Sequence, residues 1–130
     1  MSNEGISGKM NWDSYYEITS SSIIEEEYSF EIRIKPDCDV YRGHFPGHPI
    51  SPGVCNIGMI RDLAGKALKK KIRFTSIKQC RLTGMITPES TPALTVTLNL
   101  TSSDDGCSVS ADIKDTEKSY MELKGEAIYV

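Results

Sequence analysis

Two histidines, one tryptophan and no stretch of apolar residues long enough to span a bilayer leave this 130-residue chain with few chemical options. A membrane-crossing helix needs about 20 consecutive apolar residues, and none is present. The N-terminus carries no charged-then-apolar pattern of a signal peptide. Its first residues, Met1 to about Asn11, are rich in Ser, Asn and Gly and are expected to be mobile, with one domain over residues 12–130. The four cysteines, at 38, 55, 80 and 107, form no C-x-x-C pair. That spacing argues against a zinc site or a dithiol redox motif. Without an export signal, reduced thiols in the cytoplasm are the expectation. A net charge of −3 speaks against nucleic acid as a default partner. No internal repeat or low-complexity linker occurs.

Against that plain background one stretch stands out: Gly43-His44-Phe45-Pro46-Gly47-His48-Pro49-Ile50-Ser51-Pro52-Gly53-Val54. Pro46, Pro49 and Pro52 fix φ and push the residues before them toward extended geometry. The glycines allow tight turns or close approach of a ligand to the backbone. An imidazole held this firmly beside a helix start suits proton transfer near a polarised oxygen. The plainer alternative is a stiff connector with two solvated histidines. His44 and His48 are four apart, but in an extended loop they diverge, so no metal site is expected.

Around this loop the periodicities give an α+β domain. Tyr28, Phe30, Ile32 and Ile34 alternate with polar residues, and Leu94, Val96, Leu98 and Leu100 do the same. Both patterns predict half-buried strands. Strands are expected at about 15–24, 27–35, 72–85, 93–102, 107–114 and 119–129, with turns at Asp104-Asp105-Gly106 and at 114–118. Residues 53–70 read as one helix, with Pro52 at its start and Lys69, Lys70 and Lys71 at its negative end. At about 100° per residue, Val54, Ile57, Ile60, Leu63, Ala64, Ala67 and Leu68 share an apolar arc. Gly58, Asp62, Gly65, Lys66 and Lys69 take the other side. Arg61, at the edge of the arc, and Asn56 are further polar candidates on this helix. Cys55, near the helix start, is a possible nucleophile but reads first as packing. A single helix covers only part of a six-stranded sheet. Pairing of sheet edges in a homo-oligomer would remove exposed strands.

The stretch from Gly43 to Val54 resembles the signature of the FabZ/FabA-type 3-hydroxyacyl-(acyl-carrier-protein) dehydratases, G-H-F-P-G-x-P-x-x-P-G at full spacing. The resemblance extends weakly over about 12–130. It implies the hot-dog fold, a long central helix wrapped by a curved antiparallel sheet. It implies dehydration of a 3-hydroxyacyl thioester to a trans-2-enoyl thioester, without a cofactor, in fatty-acid or related lipid or polyene biosynthesis. His44 matches the family's catalytic histidine, and the backbone N–H of Gly53 the position that polarises the thioester carbonyl. Phe45, Val54 and Gly58 fall where the family binds substrate.

One position departs from the pattern. The family's helix Glu or Asp, five residues after the glycine at 53, is Gly58 here. Asp62, one turn further along the same side, is the nearest replacement; its plainer role is an i,i+4 pair with Lys66. Lys66, Lys69, Lys70 and Arg73 form a basic cluster that could steer an acidic acyl carrier protein, or simply complement the helix dipole. The expected partners are therefore a carrier- or CoA-linked acyl substrate and a second hot-dog subunit, identical or different. The alternatives are a non-catalytic acyl- or carrier-binding protein, the inactive half of a heterodimeric dehydratase, and, less favoured by the motif, a thioesterase.

Overall fold

A computed structural model describes residues 15–35, 53–84, 86 and 93–130, with only the backbone of 53 and 54. The expected mobility of residues 1–11 therefore falls outside the described residues. Six strands and one helix are present: β1 (Tyr16–Ile24), β2 (Glu27–Ile34), α1 (Gly53–Leu68), β3 (Ile72–Leu82), β4 (Ala93–Ser102), β5 (Gly106–Lys114) and β6 (Ser119–Tyr129). The strands form one sheet in the order β1-β2-β4-β5-β6-β3. Every neighbouring pair is antiparallel.

The period-two patterns explain which face is covered. Phe30, Ile32 and Ile34 on β2, Leu94, Val96, Leu98 and Leu100 on β4, and Val109, Ala111 and Ile113 on β5 are all buried. Their polar neighbours point the other way, because successive side chains of a strand alternate between faces. The buried face packs with Met59, Ile60, Leu63 and Ala64 of α1 into one hydrophobic cluster. A helix lying on one face of an antiparallel sheet is the architecture expected from the sequence.

The helix differs from its expected wheel. Cys55, Asn56, Gly58 and Met59 are buried, whereas Ile57, Ala67 and Leu68 are only partly so. The buried arc is wider than expected and turned toward Asn56 and Met59. A helix enclosed by a sheet is covered over more than its apolar stripe, so hydrophobicity alone misplaces the arc's centre. Its end also comes slightly early. Lys69 adopts a left-handed φ of 59°, and the Lys70 N–H donates to the Gly65 carbonyl at 3.0 Å. This closes the helix at Leu68 in Schellman fashion.

Both expected turns form. The Ser103 N–H donates to the Gly106 carbonyl at 2.8 Å. Tyr120 donates to Asp115 Oδ2 at 2.6 Å. Asp115 Oδ1 accepts from the N–H groups of Glu117 and Lys118 at 2.7 and 2.9 Å, the way Asp shapes a turn. The Tyr120 bond, then the two backbone bonds, hold the Asp115 carboxyl below its ordinary range, and the same carboxylate pushes the Tyr120 phenol up to about 12. At Gly106 a Cβ would stand 2.0 Å from the Ala127 carbonyl oxygen. Gly106→Ala is therefore expected to cost about 1–3 kcal/mol through forced backbone movement, read as a lower thermal midpoint.

The two sheet edges are β1 and β3. Strand β3 is 11 residues long and mostly exposed, with Ile77 at 42% and Leu82 at 60% exposure. Two register shifts interrupt its pairing with β6.

Candidate active site

Helix α1 begins at Gly53, so the proline-glycine loop runs into a helix where the sequence puts it. The first N–H groups of a helix have no intrahelical acceptor and carry its positive dipole end. The Gly53 amide is one of them, suited to polarise a carbonyl. His44, Phe45 and His48 lie outside the described residues, and so does the side chain of Val54.

Beyond Gly53, the polar side chains of α1 are tied to the start of β1. Asn56 is the one buried polar residue among those described, at 2% exposure. Its Oδ1 accepts a hydrogen bond from the fully buried Tyr15 hydroxyl at 2.7 Å. Two turns on, Asp62 Oδ2 accepts from Tyr16 Oη at 2.5 Å and from Lys66 Nζ at 2.8 Å. The Lys66 ammonium also lies 5.7 Å from the Tyr16 ring centroid, within cation–π range. The expected i,i+4 pair of Asp62 with Lys66 is therefore formed, and Tyr16 joins it. Asp62 Oδ1 has no partner among the described residues. Gly58, between the two polar positions, is buried. An open cavity of about 250 Å³ adjoins this network, lined by Tyr16, Glu17, Ile18, Lys35 and Lys66.

Tyr15 and Tyr16 are the partners of the helix's polar side chains that sequence reasoning missed. Their pattern reads only as the opening of a strand, and nothing in their spacing ties them to residues 41 and 46 positions away. Cys55 is fully buried, and Cys55, Cys80 and Cys107 carry no disulfide. Burial pushes the Cys107 thiol up, away from nucleophilic use.

Lys66, Lys69, Lys70 and Arg73 are all exposed at the end of α1 and the start of β3. Lys66 is engaged by Asp62, and Lys70 lies over the Tyr129 ring at 4.6 Å. Lys69 and Arg73 make no ion pair among the described residues.

A protein-family model described as ApeI-like, ApeI dehydratase, matches residues 20–122. The match starts within β1, ends within β6, and takes in the whole proline-glycine motif. The chain belongs to the ApeI-like dehydratase family. Solved structures agree on the fold. The dehydratase heterocomplex ApeI:P from Xenorhabdus doucetiae aligns with a TM-score of 0.69 at 20% identity, over 86% of this chain and 96% of that one. A Lactococcus lactis protein, YhdA, provisionally assigned as a thioesterase, gives 0.67 at 14% identity, over 93% and 98%. An inactive mutant of the CurK dehydratase gives 0.51 at 12% identity, over 89% of this chain and 43% of that one. At such identities the likeness is one of fold, and the fold is the hot-dog. No curated protein matches the sequence. No helix among the described residues is long and apolar enough to cross a membrane.

Proposed function

We propose that this ApeI-like family member dehydrates 3-hydroxyacyl thioesters to trans-2-enoyl thioesters. The observation that carries the reading is the meeting of the motif with the helix. The stretch from Gly43 to Val54 ends where α1 begins, so its terminal glycine brings an unpaired N–H to the same loop as His44. The His44 imidazole takes the proton from C2 of the substrate. The Gly53 amide stabilises the oxygen of the thioester carbonyl as enolate charge grows. The electron pair then forms the C2–C3 double bond, the C3–O bond breaks, and the hydroxyl leaves with a donated proton as water. Because Gly58 has no side chain for that donation, Asp62 takes the role. Its Oδ2 accepts from Tyr16 and Lys66, so the donated proton stands on Oδ1, from where it passes to the leaving hydroxyl directly or through a bridging water and leaves Asp62 as the carboxylate paired with Lys66.

The test is hydration of a short trans-2-enoyl thioester, the reverse reaction, which needs no cognate carrier. The purified protein is expected to consume the enoyl absorbance. Asp62→Asn is expected to slow it by about 10²-fold or more, the usual worth of a general acid. An unchanged rate would remove Asp62 from the mechanism.

A second reading has its own support. Gly58 replaces the acid, β3 leaves Ile77 and Leu82 exposed at a sheet edge, and the ApeI relative was solved as a heterocomplex. In that reading this chain supplies His44 and Gly53 to a site whose acid comes from a different hot-dog subunit. A silent homodimer that gains turnover when mixed with such a subunit would favour it. In either case Lys69, Lys70 and Arg73 would face an acidic acyl carrier protein. Hydrolysis of a saturated acyl thioester, without hydration of the enoyl one, would favour a thioesterase instead.

A further inference from the structure

The two edges of the sheet share one shortfall and differ in charge. A strand at an edge presents a row of unpaired backbone N–H and C=O groups. Each edge here also leaves apolar side chains of the core face in water. On β1, Ile18 and Ile23 stand opposite Ile32 and Tyr28 of β2, yet they are 37% and 56% exposed. On β3, the exposed Ile77 and Leu82 stand opposite Gly125 and Met121 of β6. Directly opposed residues share a face of the sheet. These four side chains therefore lie on the side that α1 covers elsewhere.

Charge tells the edges apart. The turn from β1 to β2 is a run of three exposed glutamates, Glu25, Glu26 and Glu27. They make no ion pair among the described residues, and β1 itself holds no cation. Strand β3 carries Arg73, Lys78 and Arg81 and no acid. The exposed Lys69, Lys70 and Lys71 lead into it.

Strand direction then limits how the edges can meet. The sheet has six strands, and each is antiparallel to its neighbour. The first and the last, β1 and β3, therefore run in opposite directions. A second copy set beside the first in the same orientation continues an antiparallel ladder, β1 of one copy against β3 of the other. In that ladder the end of β1 lies beside the start of β3, so the glutamate turn meets the basic stretch at 69–73. Pairing β3 with itself would set Arg73, Lys78 and Arg81 against the same cations, and like charges on facing strands are destabilising. Pairing β1 with itself would offer the glutamates no cation on the facing strand.

We propose that the chain self-associates head to tail, with β1 of one copy added to β3 of the next and the acidic turn seated on the basic stretch at 69–73. The strands supply backbone hydrogen bonds. The four apolar side chains leave water, and the charges select which edge is joined. A dimer made this way keeps one free edge of each kind, so growth continues to a closed ring or an open chain. The contact does not depend on the dehydratase reading. It covers the patch that this reading offers to an acidic carrier, so a carrier and a neighbouring turn compete for it.

Sedimentation velocity over a concentration series tests the proposal, at about 50 mM and about 0.5 M salt, where charges are screened over very different distances. The wild-type chain is expected to grow beyond a dimer at low salt and to lose about tenfold or more in association at high salt. One variant reverses the turn: Glu25→Lys, Glu26→Lys and Glu27→Lys. The other reverses the facing stretch: Lys69→Glu, Lys71→Glu and Arg73→Glu. Each alone is expected to weaken association by about tenfold or more. An equimolar mixture is expected to recover it, because opposite charges again face each other at every junction between the two variants. Recovery also shows that both variants fold. A turn variant that associates as the wild type does would overturn the proposal. So would a wild-type chain that stays monomeric at low salt, an assembly that stops at a dimer, or a mixture that stays dissociated.

Discussion

His44→Ala is expected to lower enoyl-thioester hydration by roughly 10²- to 10⁴-fold, the range that a positioned acid or base contributes. The α-proton of a thioester is weakly acidic, so its removal needs a base close to neutrality and held against the carbon. Imidazole is the side chain whose unperturbed ionisation lies in that range. The chain has two histidines, which allows a direct control. His48 stands at a variable place in the motif, and His48→Ala is expected to keep the rate within threefold. Equal losses in both variants would mean that the loop matters only as a rigid connector. A His44→Ala protein with wild-type turnover would remove the base from the proposed mechanism and the dehydratase reading with it.

How far such a site can be read from sequence depends on what kind of signal each residue leaves. The six strands and the helix were legible because alternation and helical spacing are local properties of a chain facing one core. The bounds of β4, Ala93–Ser102, follow directly from Leu94, Val96, Leu98 and Leu100. Gly53 at the helix start was legible because proline and glycine act on their own backbone. Asn56 illustrates the opposite case. Its burial arises from the packing of α1 against the sheet, and its Tyr15 partner, just before β1, lies 41 residues away, and no spacing within the helix encodes that. The same packing buries Gly58, which a wheel places on the polar side. Asp62 falls between these cases. Its pair with Lys66 is an i,i+4 contact readable from sequence, while the Tyr16 hydroxyl on the same oxygen is a tertiary contact.

Gly58→Glu is expected to raise hydration by about 10²-fold or more, because it returns a proton-transfer group to the position where dehydratases with this motif carry one. The backbone favours the change. A glycine inside a helix costs about 1 kcal/mol relative to alanine, so a side chain at 58 stiffens α1. Burial opposes it, since a carboxyl taken from water must find hydrogen-bond partners. Gly58→Asp is the shorter companion that limits crowding. The double variant with Asp62→Asn decides between sources of the acid. If the carboxyl introduced by Gly58→Glu carries the proton, the added loss of Asp62 should change the rate by less than threefold, whereas Asp62→Asn alone slows the natural protein. If both Gly58 variants fold and neither exceeds the natural rate, a carboxyl at this place cannot reach the leaving hydroxyl. The acid would then have to enter across the β3 edge, from a second subunit. Ile77 and Leu82 are exposed there, so adding that subunit would be expected to cover them and raise the rate in the same titration.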